Sequence, residues 1–257
     1  MSERRRDAGS ALDRRGGLSL PRAQAASGPD LARPWAVAVE SAGTLLAIDP
    51  GRNAVLRVDP VGGARLVVSD LKTGGGPGFV QPFDVAVIAG GDAVVRDDKS
   101  LLRVDAVTGD RALLSGTGRG SGPPFVDPRR IAIDGDSVLV ADPVPPAIVR
   151  VDPSSGDRTL VWDGSPPLSF PGGVAMEATG SLVITSNGAV VRFNPSTGAT
   201  TILTDASHGA GPFLQLPGVI AVEPPGTLIV ADHSVLTGAE SVLRVDPVSG
   251  DRTYVAR

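Results

Sequence analysis

The last sixteen residues, "VLRVDPVSGDRTYVAR" (242–257), have four earlier relatives in the same chain. These are "VLRVDPVGGARLVV" (55–68), "LLRVDAVTGDRALL" (101–114), "IVRVDPSSGDRTLV" (148–161) and "VVRFNPSTGATTIL" (190–203). With the Asp or Asn after the Arg-Val/Phe pair as marker, Asp59, Asp105, Asp152, Asn194 and Asp246 are separated by 46, 47, 42 and 52 residues. A period of this kind is the signature of a repeat architecture. Each phrase predicts a β-hairpin: a β-branched run, a turn of the type Asp-Pro-x-Ser/Thr-Gly, then a second run. Pro presets φ early in the turn, and Gly takes the left-handed backbone that closes a longer loop with a bulge.

Two more strands are predicted before each hairpin. The first opens with a proline and reads "PWAVAV", "PFDVAV", "PRRIAI", "PGGVAM" and "PGVIAV", from Pro34, Pro82, Pro128, Pro171 and Pro217. The second reads "GTLLAID", "GDAVVRD", "GDSVLVAD", "GSLVITS" and "GTLIVAD". Each unit therefore holds four strands with short connections, the content of one propeller blade. One such sheet cannot bury both faces alone, whereas sheets stacked around an axis bury each other. Every first strand carries alanine at its fifth position (Ala38, Ala86, Ala132, Ala175, Ala221), where inner strands would crowd the axis. An apolar residue precedes each opening proline by three (Leu31, Phe79, Phe125, Leu168, Leu214) and is expected to plug the gap between blades. The fold class is all-β, a propeller of four-stranded antiparallel blades. Five units are visible; five blades are favoured, with six the alternative.

Composition agrees. The 257 residues include 33 Gly and 23 Pro but only 4% aromatics, a mixture suited to short strands and turns. A net charge of −4 offers no field to hold a polyanion, so nucleic acid is not an expected partner. There is no cysteine, hence neither disulfide nor thiolate chemistry. No stretch approaches the roughly 18 apolar residues of a membrane span. Residues 1–27 read as a flexible Arg-rich arm ahead of a single propeller domain, 28–257. Six arginines against Glu3, Asp7 and Asp13 give residues 1–22 a charge of +3, leaving −7 elsewhere. The arm has only "GGLSL" where an export signal needs about 7–15 apolar residues, so no signal peptide is recognised and the compartment stays open. A solvated tail and a docking arm are both compatible with it. Its stretch "SALDRRGGLSLPRAQAASGPDLARP" also looks like a decayed second half of a unit that could patch a seam in the ring.

The unit "GTGRGSGPPFVDPRRIAIDGDSVLVADPVPPAIVRVDPSSGDRTLV" (116–161) resembles the repeats of NHL-type propellers. Their wider group includes gluconolactonase-like, strictosidine-synthase-like and virginiamycin B lyase-like folds. The resemblance runs from about residue 28 to the end. It implies a propeller, usually of six blades in that group, and leaves activity open because such repeats serve binders and enzymes alike. In gluconolactonase-like enzymes a Glu at the start of the first blade holds a metal; here that region reads "LARPWAVAVE" and does not match. Lyase-type relatives use His and Glu at the tunnel mouth.

In a propeller, the loops leading into the inner strands and those joining second to third strands open onto one face. On that face, departures from the repeat are the candidates for function. After the opening proline, where Gly172 and Gly173 stand in the fourth unit, three units offer Trp35, Phe83 with Asp84, and Arg129 with Arg130. These five could line a ligand site, or be rim residues paired with one another, Asp84 with Arg130 for instance. His208 and His233 fall on the same face, and the long loop after His233 carries Glu240. Two His and a carboxylate could do acid/base work or hold a divalent cation such as Ca²⁺ or Mg²⁺; otherwise they are surface-turn residues. Asp49, Asp97, Asp142 and Asp232, with Ser186 in the fourth unit, end the second strands. A carboxylate ring suggests a cation, but presence in nearly every unit favours tying down a loop. Lys72 and Lys99, the only lysines, fall in loops on this face. The leading reading is a scaffold binding a protein or a saccharide-like small molecule at the mouth. The alternative is a metal-assisted lyase or lactone hydrolase acting there.

Overall fold

The structure, a computed structural model, describes residues 27–165, 169–233 and 240–256. The arm, Leu168 and most of the loop after His233 lie outside the described residues. Twenty strands form five four-stranded antiparallel sheets, each built from consecutive strands. Blade 1 holds β1 (Ala36–Val39), β2 (Leu45–Asp49), β3 (Ala54–Val58) and β4 (Arg65–Ser69). Blade 2 holds β5 (Pro82–Val87), β6 (Ala93–Asp97), β7 (Ser100–Val104) and β8 (Arg111–Ser115). Blade 3 holds β9 (Arg130–Asp134), β10 (Ser137–Pro143), β11 (Pro146–Val151) and β12 (Arg158–Trp162). Blade 4 holds β13 (Gly173–Met176), β14 (Leu182–Ser186), β15 (Ala189–Phe193) and β16 (Thr200–Thr204). Blade 5 holds β17 (Leu216–Glu223), β18 (Thr227–His233), β19 (Glu240–Val245) and β20 (Arg252–Ala256). The fold is a five-bladed β-propeller, with β1, β5, β9, β13 and β17 packed in succession as inner strands. No helix occurs among the described residues, so none there is long and apolar enough to cross a membrane.

The repeated phrase folds as its residues dictate. The Asp246 carboxylate accepts the N–H groups of Val248 and Ser249, both at 2.8 Å, and Gly250 sits at φ 75°. Asp59, Asp105, Asp152 and Asn194 cap their turns in the same way. These N–H donors hold the Asp105 and Asp246 carboxyls below their usual range. Every β3–β4-type pair slips register once, as between Val55 and Leu56; this bulge lies at the end of the hairpin away from the glycine turn, not beside the glycine as the turn chemistry led one to expect. The arginine of each phrase pairs with an acid at the turn of its own inner hairpin: Arg57 with Glu40, Arg103 with Asp92, Arg150 with Asp134, Arg192 with Glu177 and Arg244 with Glu223.

Alternating residues face opposite neighbours, and four apolar clusters fill the gaps between successive blades. Phe79, Phe125 and Leu214 are buried in three of them, as expected of plugs. Leu31 departs from that expectation, at 37% exposed, because its gap is the one between blades 5 and 1. None of the four clusters spans that seam, and there Val37 and Val39 of β1 and Val219 of β17 are exposed at 61%, 65% and 41%. Ala221 is also exposed, while Ala38, Ala86, Ala132 and Ala175 pack in the filled gaps.

A second arginine, at the start of the outer strand, locks blade to blade. The Arg111 guanidinium donates to the Ser69 hydroxyl at 2.5 Å and to the carbonyls of Pro77 at 2.6 Å, Asp70 at 2.8 Å and Thr73 at 3.1 Å. All of these acceptors belong to blade 1 or to the connector leaving it. Arg158 repeats the arrangement on Ser115, Arg119 and Pro123, and Arg252 on Thr204, Asp205, His208 and Pro212. The "GDR" of the repeated phrase therefore carries a turn glycine and a clamp for the preceding blade.

Candidate functional site

The second strands end in carboxylates because each must hold the connector that enters its own blade. Asp49 accepts the backbone N–H groups of Ala32 (2.6 Å) and Arg33 (2.9 Å), and Asp97 those of Val80 and Gln81. Asp142 accepts Val126 and Asp127, and Asp232 accepts Gln215. Ser186 accepts Ser169 and Phe170 through its hydroxyl, each at 3.4 Å. Burial raises the Asp97 and Asp232 carboxyls above the ordinary range, against the pull of those N–H groups. The ring ties down loops, and by doing so it fixes the residues on either side of each opening proline around the axis.

At those positions the five blades differ. A cavity of about 240 Å³ is lined by residues of every blade, among them Trp35, Phe83, Arg129, Arg130, Phe170 and Gly218, which places it on the axis. The rings of Trp35 and Phe83 lie 4.9 Å apart at a tilt of 49°. Phe83 is re-aimed by a bulge at Pro82–Asp84, the single register slip in the β5–β6 pair. Arg130 stands 5.2 Å from the Phe83 ring, Arg129 5.7 Å from Phe170 and Arg33 5.4 Å from Trp35, all within cation–π reach. On the opposite side the inner strands approach so closely that a Cβ on Gly173 would meet the Gly218 carbonyl at 2.4 Å. One half of the mouth is therefore aromatic and cationic, and the other brings glycine backbone to the cavity beside Ser186, Asn187 and Leu216.

Four of the five mouth residues named from sequence thus converge on one cavity: Trp35, Phe83, Arg129 and Arg130. Asp84 lies beneath them. Its carboxylate accepts the Ile131 N–H at 2.8 Å and stands 3.6 Å from Arg130, joining β5 to β9. Burial raises its pKa, opposed chiefly by the Arg130 charge. Sequence reading missed Phe170 and Arg96. Phe170 fills the place before the proline, where Arg33, Gln81, Asp127 and Leu216 stand elsewhere. Arg96 occupies a β6 position held by Ile48, Ala141, Thr185 and Ala231 in the other blades, a departure visible in "GDAVVRD". It is 5% exposed, with its guanidinium 4.1 Å from the Phe83 ring, and burial lowers its pKa to about 10.

The histidines have separate partners. His233 Nδ1 lies 2.8 Å from Glu240, across the β18–β19 pair. His208 Nδ1 lies 2.8 Å from Asp205, in the connector gripped by Arg252. The structure brings His233 and Glu240 together and places His208 with the outer strand. Among the described residues no group of three His, Asp or Glu side chains is arranged to hold a metal. Lys99 lines a smaller cavity beside Phe83 and Arg96; Lys72 sits in an Asp70-capped turn.

No protein-family model matches the sequence, and no curated protein does. Solved structures do match in shape. A chain of the nidogen/laminin complex superposes with a TM-score of 0.69 at 17% identity, covering 86% of this chain and 78% of that one. A gluconolactonase from Xanthomonas campestris gives 0.67 at 18% identity, covering 87% and 75%. Virginiamycin B lyase from Staphylococcus aureus gives 0.64 at 16% identity, covering 96% and 76%. One is a partner in a protein complex and two are enzymes, so the likeness carries architecture and not activity. The chain shares the propeller fold of these proteins, built here from five blades around an aromatic and cationic mouth.

Proposed function

We propose that this propeller is a binding protein whose axial mouth takes a small molecule with an apolar face, such as a saccharide ring. The observation that carries this reading is the convergence of Trp35, Phe83 and Phe170, from three blades, on the 240 Å³ cavity that Arg129 and Arg130 also line. Aromatic faces with a few fixed polar groups are the usual lining of ligand sites. The volume lies below the ~300–1,000 Å³ of drug-sized pockets, which suits an occupant of about one ring. Trp35 is 42% exposed, and an aromatic surface left open on a rigid scaffold supports stacking better than core packing. The lyase or lactone-hydrolase reading draws instead on the His233–Glu240 pair, neither member of which lines this cavity.

The chain has two tryptophans, and Trp162 is 4% exposed, so a Trp162→Phe variant leaves Trp35 as the sole reporter at the mouth. Titration of that variant with a panel of monosaccharides and short oligosaccharides is expected to give saturable changes in emission for at least one member. Phe83→Ala should weaken that binding about tenfold, a loss of about 1.4 kcal/mol, the scale of one stacking partner. A flat response across the panel overturns the saccharide reading.

A further inference from the structure

From the same mouth we infer that the ligand carries an acidic group, a carboxylate or phosphate, and that Arg96 and Arg129 receive it in a second cavity beside Phe83. This inference rests on the binding reading above and adds the charge of the ligand. The second cavity, about 150 Å³, is lined by Phe83, Arg96, Lys99 and Arg129 together with the carboxylates of Asp98 and Asp127. It shares Phe83 and Arg129 with the axial cavity, so one molecule can stack in the first and reach into the second.

Arg96 is the telling residue. A buried guanidinium is costly unless hydrogen-bonded and paired, yet among the described residues Arg96 donates only to the Asp98 carbonyl, at 3.4 Å, and its Nε has no hydrogen-bond partner. Asp84 and Asp97 offset part of its charge from nearby but make their hydrogen bonds elsewhere, Asp84 to the Ile131 N–H and Asp97 to Val80 and Gln81. Asp127 is held by two bonds from Arg129. Four other blades solve the same position with Ile, Ala or Thr, so the fold does not require a cation here. A guanidinium with unspent donors, walled by an aromatic ring and flanked by Lys99, is suited to an oxyanion.

Glucose and glucuronate, compared by Trp35 emission in the Trp162→Phe chain, separate charge from stacking. Glucuronate is expected to bind at least tenfold tighter, and Arg96→Met to abolish that preference. Inorganic phosphate should compete with glucuronate on the unsubstituted mouth, a readout that does not depend on how Arg96→Met folds. Equal affinity for the two sugars overturns the acidic-group inference and leaves the saccharide reading standing. Binding of neither sugar and no effect of phosphate overturns the inference.

Discussion

Replacing Arg111 by alanine is expected to lower the unfolding midpoint by roughly 10 °C, more than any substitution at the mouth. The guanidinium spans two blades: it rises from β8 and is spent on the Ser69 hydroxyl and on the carbonyls of Pro77, Asp70 and Thr73. Truncation removes the arginine donor from the Ser69 hydroxyl and the Pro77 and Asp70 carbonyls under the blade junction, while the Thr73 carbonyl keeps the Asp70 N–H at 3.0 Å. Hydrogen bonds to a charged group contribute about 1.5–3 kcal/mol each and are far from additive, so a net loss of about 3 kcal/mol is a conservative sum. For a chain of this length, each kcal/mol moves the midpoint by about 2–4 °C. Arg111→Lys keeps the charge but cannot reach four acceptors with one ammonium, and should recover less than half of the loss. Differential scanning calorimetry on the three proteins decides it. A midpoint within 2 °C or so of the unsubstituted chain would mean that the connector is held by its backbone alone.

Gly122→Ala is expected to cost about 3 kcal/mol, from two sources. At φ 97° an L-residue pays the left-handed penalty of about 1–2 kcal/mol. Its Cβ would also stand 1.9 Å from the Arg158 carbonyl, a backbone atom that cannot swing aside. Relief means lifting the connector, which breaks the Arg158 N–H to Ser121 O bond at 2.8 Å and draws the Pro123 carbonyl away from the arginine. Gly180 supplies the control, because it has φ 83° but nothing within 4 Å of where a Cβ would stand. Gly180→Ala should therefore lose only the conformational part, about 1 kcal/mol. Urea unfolding of both variants checks the difference. Equal losses would show that the connector yields freely and that glycine stands at position 122 for φ alone.

Much of this was legible in the residues. The turn chemistry of Asp246 to Gly250, repeated at a steady spacing, reads as a hairpin, and five such hairpins with two strands before each favoured the five blades that the structure has, six being the alternative. Departures from the repeat pointed to Trp35, Phe83, Arg129 and Arg130, which share one cavity. The same logic extended one strand further would have found Arg96. Asp84 was legible as a departure but not as a buried link, because nothing in "PFDVAV" tells that its carboxylate meets the Ile131 N–H of the next blade. The pairing of His208 with Asp205 is local and readable; that of His233 with Glu240 follows from the register of β18 on β19.

Local sequence determined the hairpins, their turns and the alternation that makes each sheet apolar on both faces, since those depend on neighbours within a few residues. Only the tertiary structure decided which departures meet at the axis and which gap between blades lacks a cluster. Those outcomes depend on how five similar sheets are rotated about a common axis, a relation that no single repeat encodes.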